Sequence, residues 1–562
     1  MACMCLIRVL TPASSVLLVT VCLLSTPSIH AQSAPSFAPQ STTKPASLSC
    51  SIRNTPPSPA DIAFSHSKYD EAAGLYRKDA ETPSPEGDRA HNGLIRSLLK
   101  DGKVSDANAD ATAWAVKSPQ SSWAMASLSE VQFRQASMDK AVASMQAAGS
   151  LDHCNMQVHA DFAAFSKLTG MKATAKLHLD LAHTYEPQNL AIREAWVELQ
   201  PRSVRLAELT HTLDQDKSLT ANQRKWMELD KKILSEPDQL CRLGSAVTST
   251  TIPFHGIKDG PTGKVEWGLI VAFNGKERRM EIDTGASGLT LSHAAATAMH
   301  LTPEIDSSSY GMGDEGSQKS FLAKVDSIKI GGLQFENCYV EVFKSDPAGF
   351  EEIDGLIGGD VFDDFLLTLD FPGQQVKLDP LPPIPGAPSS AGMALTTQSS
   401  DMPVQDAYID PSMKTWSAIE RIGHELILPV RLNGKSTKLF ILDTGADATF
   451  ISTTAAREVT KIGRSPDLGI YGISGQLKDT YLTGDIKLDF AGLRYPAHDL
   501  VAFDTAKLFG RDEIEISGLL GAGILRQLTM RIDYRDDLVN FTYDPTRLTH
   551  CMPGVYREDC YE

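Results

Sequence analysis

Positive charge is short in this chain of 562 residues: 53 lysines and arginines stand against 70 aspartates and glutamates, a net charge of −17. That balance argues against nucleic acid and anionic membrane surfaces as partners, since both reward cations. Beyond the first 31 residues no run is long and apolar enough to cross a bilayer, which takes about 20 residues. The 14 histidines form no cluster at ligand spacing, so neither metal nor cofactor is expected. His424-Glu425 has no second histidine at metalloprotease spacing. Gly311-Met312-Gly313-Asp314-Glu315-Gly316 spells G-x-G-x-x-G. It falls in an expected hairpin, not between a strand and a helix, and its acids would repel phosphate.

What is present is ordinary globular composition at several-domain length, because single cores stop growing near ~250–300 residues. Residues 1–31 read as a secretory leader: Arg8 gives the positive start, Val16 to Ser25 the short apolar run, and Ser28-Ile29-His30-Ala31 the cleavage end. The expected location is therefore exported, periplasmic or extracellular. Residues 32–60, rich in Ser, Pro, Thr and Ala, read as a flexible lead-in. Six cysteines remain after the leader: Cys50, Cys154, Cys241, Cys338, Cys551 and Cys560. An even number permits disulfides, with 15 connectivities open. Cys551–Cys560 is the favoured local pair, and Cys338, inside a strand, has the alternative of a buried free thiol.

Two stretches share one design. Met280-Glu281-Ile282-Asp283-Thr284-Gly285-Ala286 and Phe440-Ile441-Leu442-Asp443-Thr444-Gly445-Ala446-Asp447 each run an apolar strand into an acid, a hydroxyl and a glycine, 160 positions apart. Their surroundings match in order. Asn274-Gly275 and Asn433-Gly434 signal hairpins upstream. Alanine-rich helical stretches follow at Ser292 to Met299 and Ser452 to Glu458. Then come Tyr310-Gly311-Met312-Gly313 and Tyr471-Gly472-Ile473-Ser474-Gly475, and second hairpins at Gly331-Gly332 and Ala491-Gly492. Gly355-Leu356-Ile357-Gly358 and Gly518-Leu519-Leu520-Gly521 place an apolar pair between glycines, their last glycines 75 and 78 residues past the acids. Final strands run Leu366 to Phe371 and Leu528 to Tyr534. This is a tandem duplication.

Asp-Thr-Gly-Ala after an apolar strand resembles the active-site turn of aspartic peptidases of the retroviral and pepsin type, and the second copy, through Asp447, is especially close to the retroviral form. The resemblance implies two all-β retropepsin-like lobes, 250–380 and 416–547, each supplying half of one site. Asp283 and Asp443 would form the catalytic dyad. Thr284 and Thr444 would cross-brace the turns, and Gly285 and Gly445 would permit close approach. Tyr310, Gly311, Tyr471 and Gly472 would lie in flaps that close over a peptide or protein substrate. Asp447, replaced by Ser287 in the first lobe, would hold substrate backbone or cap its turn. The activity implied is aspartic endopeptidase; the alternative is a non-catalytic envelope scaffold that keeps the fold to bind peptides or proteins.

Upstream, residues 61–235 are alanine-rich and helical. Ala72, Ala107, Ala141 and Ala175 step by 34 or 35 residues, the period of a helix-turn-helix repeat. The stretch resembles a degenerate tetratricopeptide array, which implies a peptide or protein partner; an irregular helical bundle is the alternative. The fold expected is thus an N-terminal all-α repeat followed by two all-β lobes. Residues 381–415, proline-rich then loose, join the lobes, and 548–562 form a cysteine-containing tail. About 35 linker residues span ~30–35 Å as a coil, so the lobes are expected to pair within one chain, as a monomer.

Overall fold

The computed structural model describes residues 8–10 and 50–547, apart from 217–218, 237–240, 246, 248, 259–264, 348–349, 351–352, 386–403, 466–468 and 506–513. Each lobe starts from its Asn-Gly pair. Asn274 and Asn433 both adopt φ 49, followed by Gly275 at 77 and Gly434 at 68. Positive φ at both turn positions matches strand twist, in a two-residue loop in the first lobe and a three-residue loop, Asn433 to Lys435, in the second. It folds Val265–Phe273 onto Lys276–Asp283 and Glu425–Leu432 onto Ser436–Leu442.

The apolar-glycine elements then lie beside the strands that carry the acids. Gly355–Gly358 runs parallel to Lys276–Asp283 with Gly358 opposite Asp283. In the second lobe Gly518–Leu520 runs parallel to the strand ending at Leu442. With neighbours on both edges and side chains covered on both faces, these acid-bearing strands are buried at Met280 to Asp283 and Leu439 to Asp443, which explains their near-continuous apolar character. Short helices, His293–Met299 and Thr453–Val459, are capped by Ser292 and Ser452, whose hydroxyls accept from the amides of Ala295 and Ala455.

One six-stranded sheet joins the lobes. Its order is Ser417–Ala418, Leu538–Tyr543, Leu528–Asp533, Phe365–Asp370, Gln375–Pro380 and Thr250–Pro253. The seam sets Leu366 opposite Asp533 and Asp370 opposite Thr529, antiparallel. Leu367, Leu369, Met530 and Ile532 on these two strands are wholly buried in a core cluster that runs through both lobes, each worth about 1.5–3 kcal/mol against exposure. The C-terminal strands of the duplicated unit thus weld the halves.

Residues 59–235 form a run of consecutive helices, Pro59–Ser65 through Ala221–Ser235. The periodic alanines mark every second helix: Ala72, Ala107, Ala141 and Ala175 are each the fourth residue of Tyr69–Asp79, Val104–Lys117, Met138–Leu151 and Lys172–Tyr185. All four are fully buried, so a larger side chain there would force neighbouring helices apart. The helices touch both lobes. Leu168 is buried in a cluster with Ile427 and Ile516 of lobe 2, against which Phe133 and Met138 also pack. On lobe 1, Trp226 Nε1 and Asn222 Nδ2 donate to the Asp306 carbonyl at 3.0 and 2.9 Å, and Leu229 packs with Ile305.

The far end of the linker is pinned where a loose coil was expected. Asp406 accepts from the amides of Ala173 and Thr174, capping a helix whose own N-cap residue, Met171, supplies no side-chain bond. Disulfides join Cys50 to Cys154 and Cys241 to Cys338. Cys338 is therefore bonded, not a free thiol: its strand lies beside Arg242–Leu243, which brings Cys241 to it. The expected Cys551–Cys560 pair lies outside the described residues, as does the leader except Arg8–Leu10, a strand paired with Gly469–Gly472.

Candidate active site

Asp283 ends one central strand, and Asp443 directly follows the other. At each, the chain turns so that the acid accepts from its own downstream amides. Asp283 Oδ1 takes Gly285 N at 2.8 Å. Asp443 Oδ1 takes Gly445 N at 3.0 Å and Ala446 N at 2.9 Å. The threonines lock one turn to the other reciprocally. Thr284 Oγ1 donates to the Leu442 carbonyl at 2.7 Å, and Thr444 Oγ1 donates to the Ile282 carbonyl at 2.8 Å. Each hydroxyl also accepts the other threonine's amide, at 3.0 and 3.1 Å. Four bonds between buried groups fix the two strand ends in one geometry.

The glycines make this approach possible. A Cβ on Gly445 would stand 2.4 Å from Asp283 Cγ, and one on Gly285 2.9 Å from Asp443 Cγ. Each carboxyl therefore sits where the opposite turn has no side chain. Both aspartates are 0% exposed, and beyond the turn amides the side-chain partner of each carboxyl is the other. Burial raises the Asp283 carboxyl to about 7 against the pull of the Gly285 amide. Burial, then the charge of Asp283 beside it, holds Asp443 well above the carboxylate range. Like charges in a buried site cannot both ionise easily, so the pair retains a proton that two separate aspartates would lose. Two carboxyls sharing one proton in this way are the known working state of aspartic proteases.

The structure brings Asp283, Thr284, Gly285, Asp443, Thr444 and Gly445 into one buried centre. Tyr310 and Tyr471 are half-buried at the starts of the two flap tips, and Tyr471 pairs opposite Gln476 in its hairpin. The flap tips meet: Gly311 N donates to Ser474 Oγ at 3.3 Å. Gly472 is buried beside that contact. Asp447 is half-buried at the end of its turn, where its carbonyl accepts Gly523 N at 3.1 Å. Its counterpart Ser287 donates instead to Asp360 Oδ2 at 2.8 Å, while Asp360 Oδ1 takes Gly288 N at 2.8 Å.

Asp360 is not among the residues expected from the sequence, though a signal exists: Gly359-Asp360 follows one apolar-glycine element where Ala522-Gly523 follows the other. His424, which the sequence offers only as a metalloprotease fragment, crosses from lobe 2 to donate through Nε2 to the Gly285 carbonyl at 3.2 Å. Tyr534, fully buried, lies under the site. A Cβ on Gly359 would meet its hydroxyl and then the Thr284 methyl. Arg421 anchors it, donating Nη1 to the Tyr534 carbonyl at 2.6 Å with its guanidinium over the ring. Nothing in local sequence marks that long-range contact.

The family model for aspartyl protease matches the chain twice, at residues 269–361 and 428–524. Each match contains one Asp-Thr-Gly turn and the glycine element that lies beside it. No curated protein matches the chain. The β part of this protein is a tandem pair of retropepsin-like lobes of the aspartyl protease family.

Proposed function

We propose that this chain is an exported aspartic endopeptidase in which one aspartate from each lobe activates water against a peptide bond. One observation carries the reading: the reciprocal Thr284–Thr444 brace sets two carboxyls against each other in a buried site, where they hydrogen-bond one another. A fold kept only as a scaffold would have no use for two such groups, because burying a pair of acids costs stability. In the reaction, the pair holds one proton. The ionised carboxylate removes a proton from water as the water oxygen attacks the peptide carbonyl carbon. The protonated partner hydrogen-bonds the carbonyl oxygen as it gains charge. The tetrahedral intermediate then breaks its C–N bond, and a proton passes from the dyad to the leaving nitrogen. Which residue acts as acid is a property of the pair. His424 and the brace position the turns, and the flaps exclude water once substrate is held.

The chain acts as a monomer in this reading, because the lobes already share a sheet within one chain. The helical array offers a second surface for a protein substrate or partner. The test is a peptide-library digest at several pH values, read by mass spectrometry. Cleavage is expected around neutral pH, where one carboxyl is ionised and the other protonated, resistant to chelators and blocked by hydroxyl-bearing transition-state mimics of a peptide. A chain that binds peptides at every pH yet cuts none would be a scaffold.

A further inference from the structure

The proposed chemistry makes no use of Met312 and Ile473, the apolar residues at the two flap tips. Hairpin tips ordinarily face water, yet these side chains are 0% and 1% exposed. They are buried because they cross over. Ile473, from lobe 2, lies in a cluster otherwise made by lobe 1: Ala286, Phe343, Phe350, Ile353 and Leu356. Met312, from lobe 1, lies in a cluster that includes Ala446, Phe450, Phe503 and Ile514 of lobe 2. Ala286 and Ala446 are the third residues past Asp283 and Asp443. Each tip thus enters the apolar wall beside the opposite lobe's aspartate.

The backbones lock this arrangement. Ser474 N donates to the Met312 carbonyl and Glu315 N to the Ser474 carbonyl, both at 2.8 Å. Lys478 N donates to Asp314 Oδ2 at 3.1 Å. Gly313, at φ 138, passes so near that a Cβ would stand 2.1 Å from the Ser474 carbonyl oxygen. Beneath the joined tips neither aspartate is exposed.

We propose that the flap tips are built-in plugs. Met312 and Ile473 fill the two apolar pockets that receive the substrate side chains flanking the cleaved bond, and a peptide enters only by displacing both. This rests on the peptidase reading above. The occupants report the pockets: the lobe 2 wall fits a long side chain not branched at Cβ, of methionine or leucine type, and the lobe 1 wall a β-branched one. A closed resting state also taxes affinity, since apparent binding weakens by the fraction of molecules that are open.

The test compares full-length wild type with Met312→Ala and Ile473→Ala on one peptide carrying leucine and valine across the cleaved bond. Each variant is expected to lower KM about tenfold, with kcat reduced less than threefold. A cleaving variant whose KM is unchanged or raised overturns the plug and leaves the function standing; a wild type that cleaves nothing defeats both. Should truncation unfold the chain, amide hydrogen exchange of the wild type decides. A peptide mimic with a hydroxyl at the cleavage position and leucine and valine beside it should speed exchange at Ser474 and Glu315 at least tenfold. Bound mimic that leaves those amides protected overturns the proposal.

Discussion

Gly445→Ala is the smallest change that separates the dyad without touching either acid. Neither Gly445 nor Gly285 has positive φ among the described glycines, so alanine adds a contact and no backbone strain. The new methyl would lie 2.4 Å from Asp283 Cγ and 2.6 and 2.7 Å from its oxygens, where ordinary contact is 3.4–4 Å. About 1 Å of movement is required, in a site held by four turn-to-turn bonds. Overpacking of this kind costs about 1–3 kcal/mol, and misplacing a reacting group by 1 Å costs about 10²-fold in rate. Gly285→Ala needs about half that movement, since its methyl would stand 2.9 Å from Asp443 Cγ, and should lose about tenfold. The assay is kcat/KM on the best-cleaved peptide, with urea unfolding to confirm folded protein. Wild-type rates in Gly445→Ala, or a larger loss in Gly285→Ala, would refute the close-approach geometry.

Four further outcomes follow from the structure. Because burial raises Asp283 and Asp443 in the folded chain, the folded state keeps a proton that the unfolded chain releases near pH 4. The pair's contribution to stability is therefore full below about pH 4 and declines as pH rises, through about 7 for Asp283 and beyond it for Asp443; Asp443→Asn should flatten that slope in urea midpoints taken from pH 4 to 8. Hydrolysis should rise as pH climbs toward about 7, where Asp283 ionises while Asp443 keeps the shared proton, and fall at higher pH where that proton is lost; a rate independent of pH from 4 to 9 would remove the shared-proton mechanism. Breaking Cys50–Cys154 or Cys241–Cys338 by Cys→Ser opens constraints spanning 104 and 97 residues, with a loss of up to about 4–5 kcal/mol expected in urea unfolding. Trp226→Ala removes a bond to the strand Ile305–Ser309 that leads into the first flap. It should cost about 1–3 kcal/mol and speed amide exchange along that strand; unchanged exchange would show that the helices do not hold the flap.

The duplicated unit was readable because each part carries a local signal. Asn-Gly fixes a hairpin, Ser before an alanine run caps a helix, and a glycine-flanked apolar pair lies flat against a buried strand. The helical period was readable because alanine is required at each close crossing. What stayed hidden is long-range. Tyr534 reaches the active-site floor from a strand end some 250 residues past the turn it supports, that of Thr284. Asp406 caps a helix more than 230 positions away. Cys241 and Cys338 meet only because two strands pair. The crossing of Met312 and Ile473 could not be inferred from either tip, since a hairpin sequence alone does not say which wall its tip will meet.

The most direct test mixes two inactive chains. Asp283→Asn and Asp443→Asn are each expected to abolish peptide cleavage while leaving urea unfolding cooperative. Because the lobes join within one chain, an equimolar mixture should regain nothing, and wild-type activity per chain should stay constant on dilution. Full activity in either single variant would contradict the shared dyad, and activity recovered in the mixture would show that the site forms between chains.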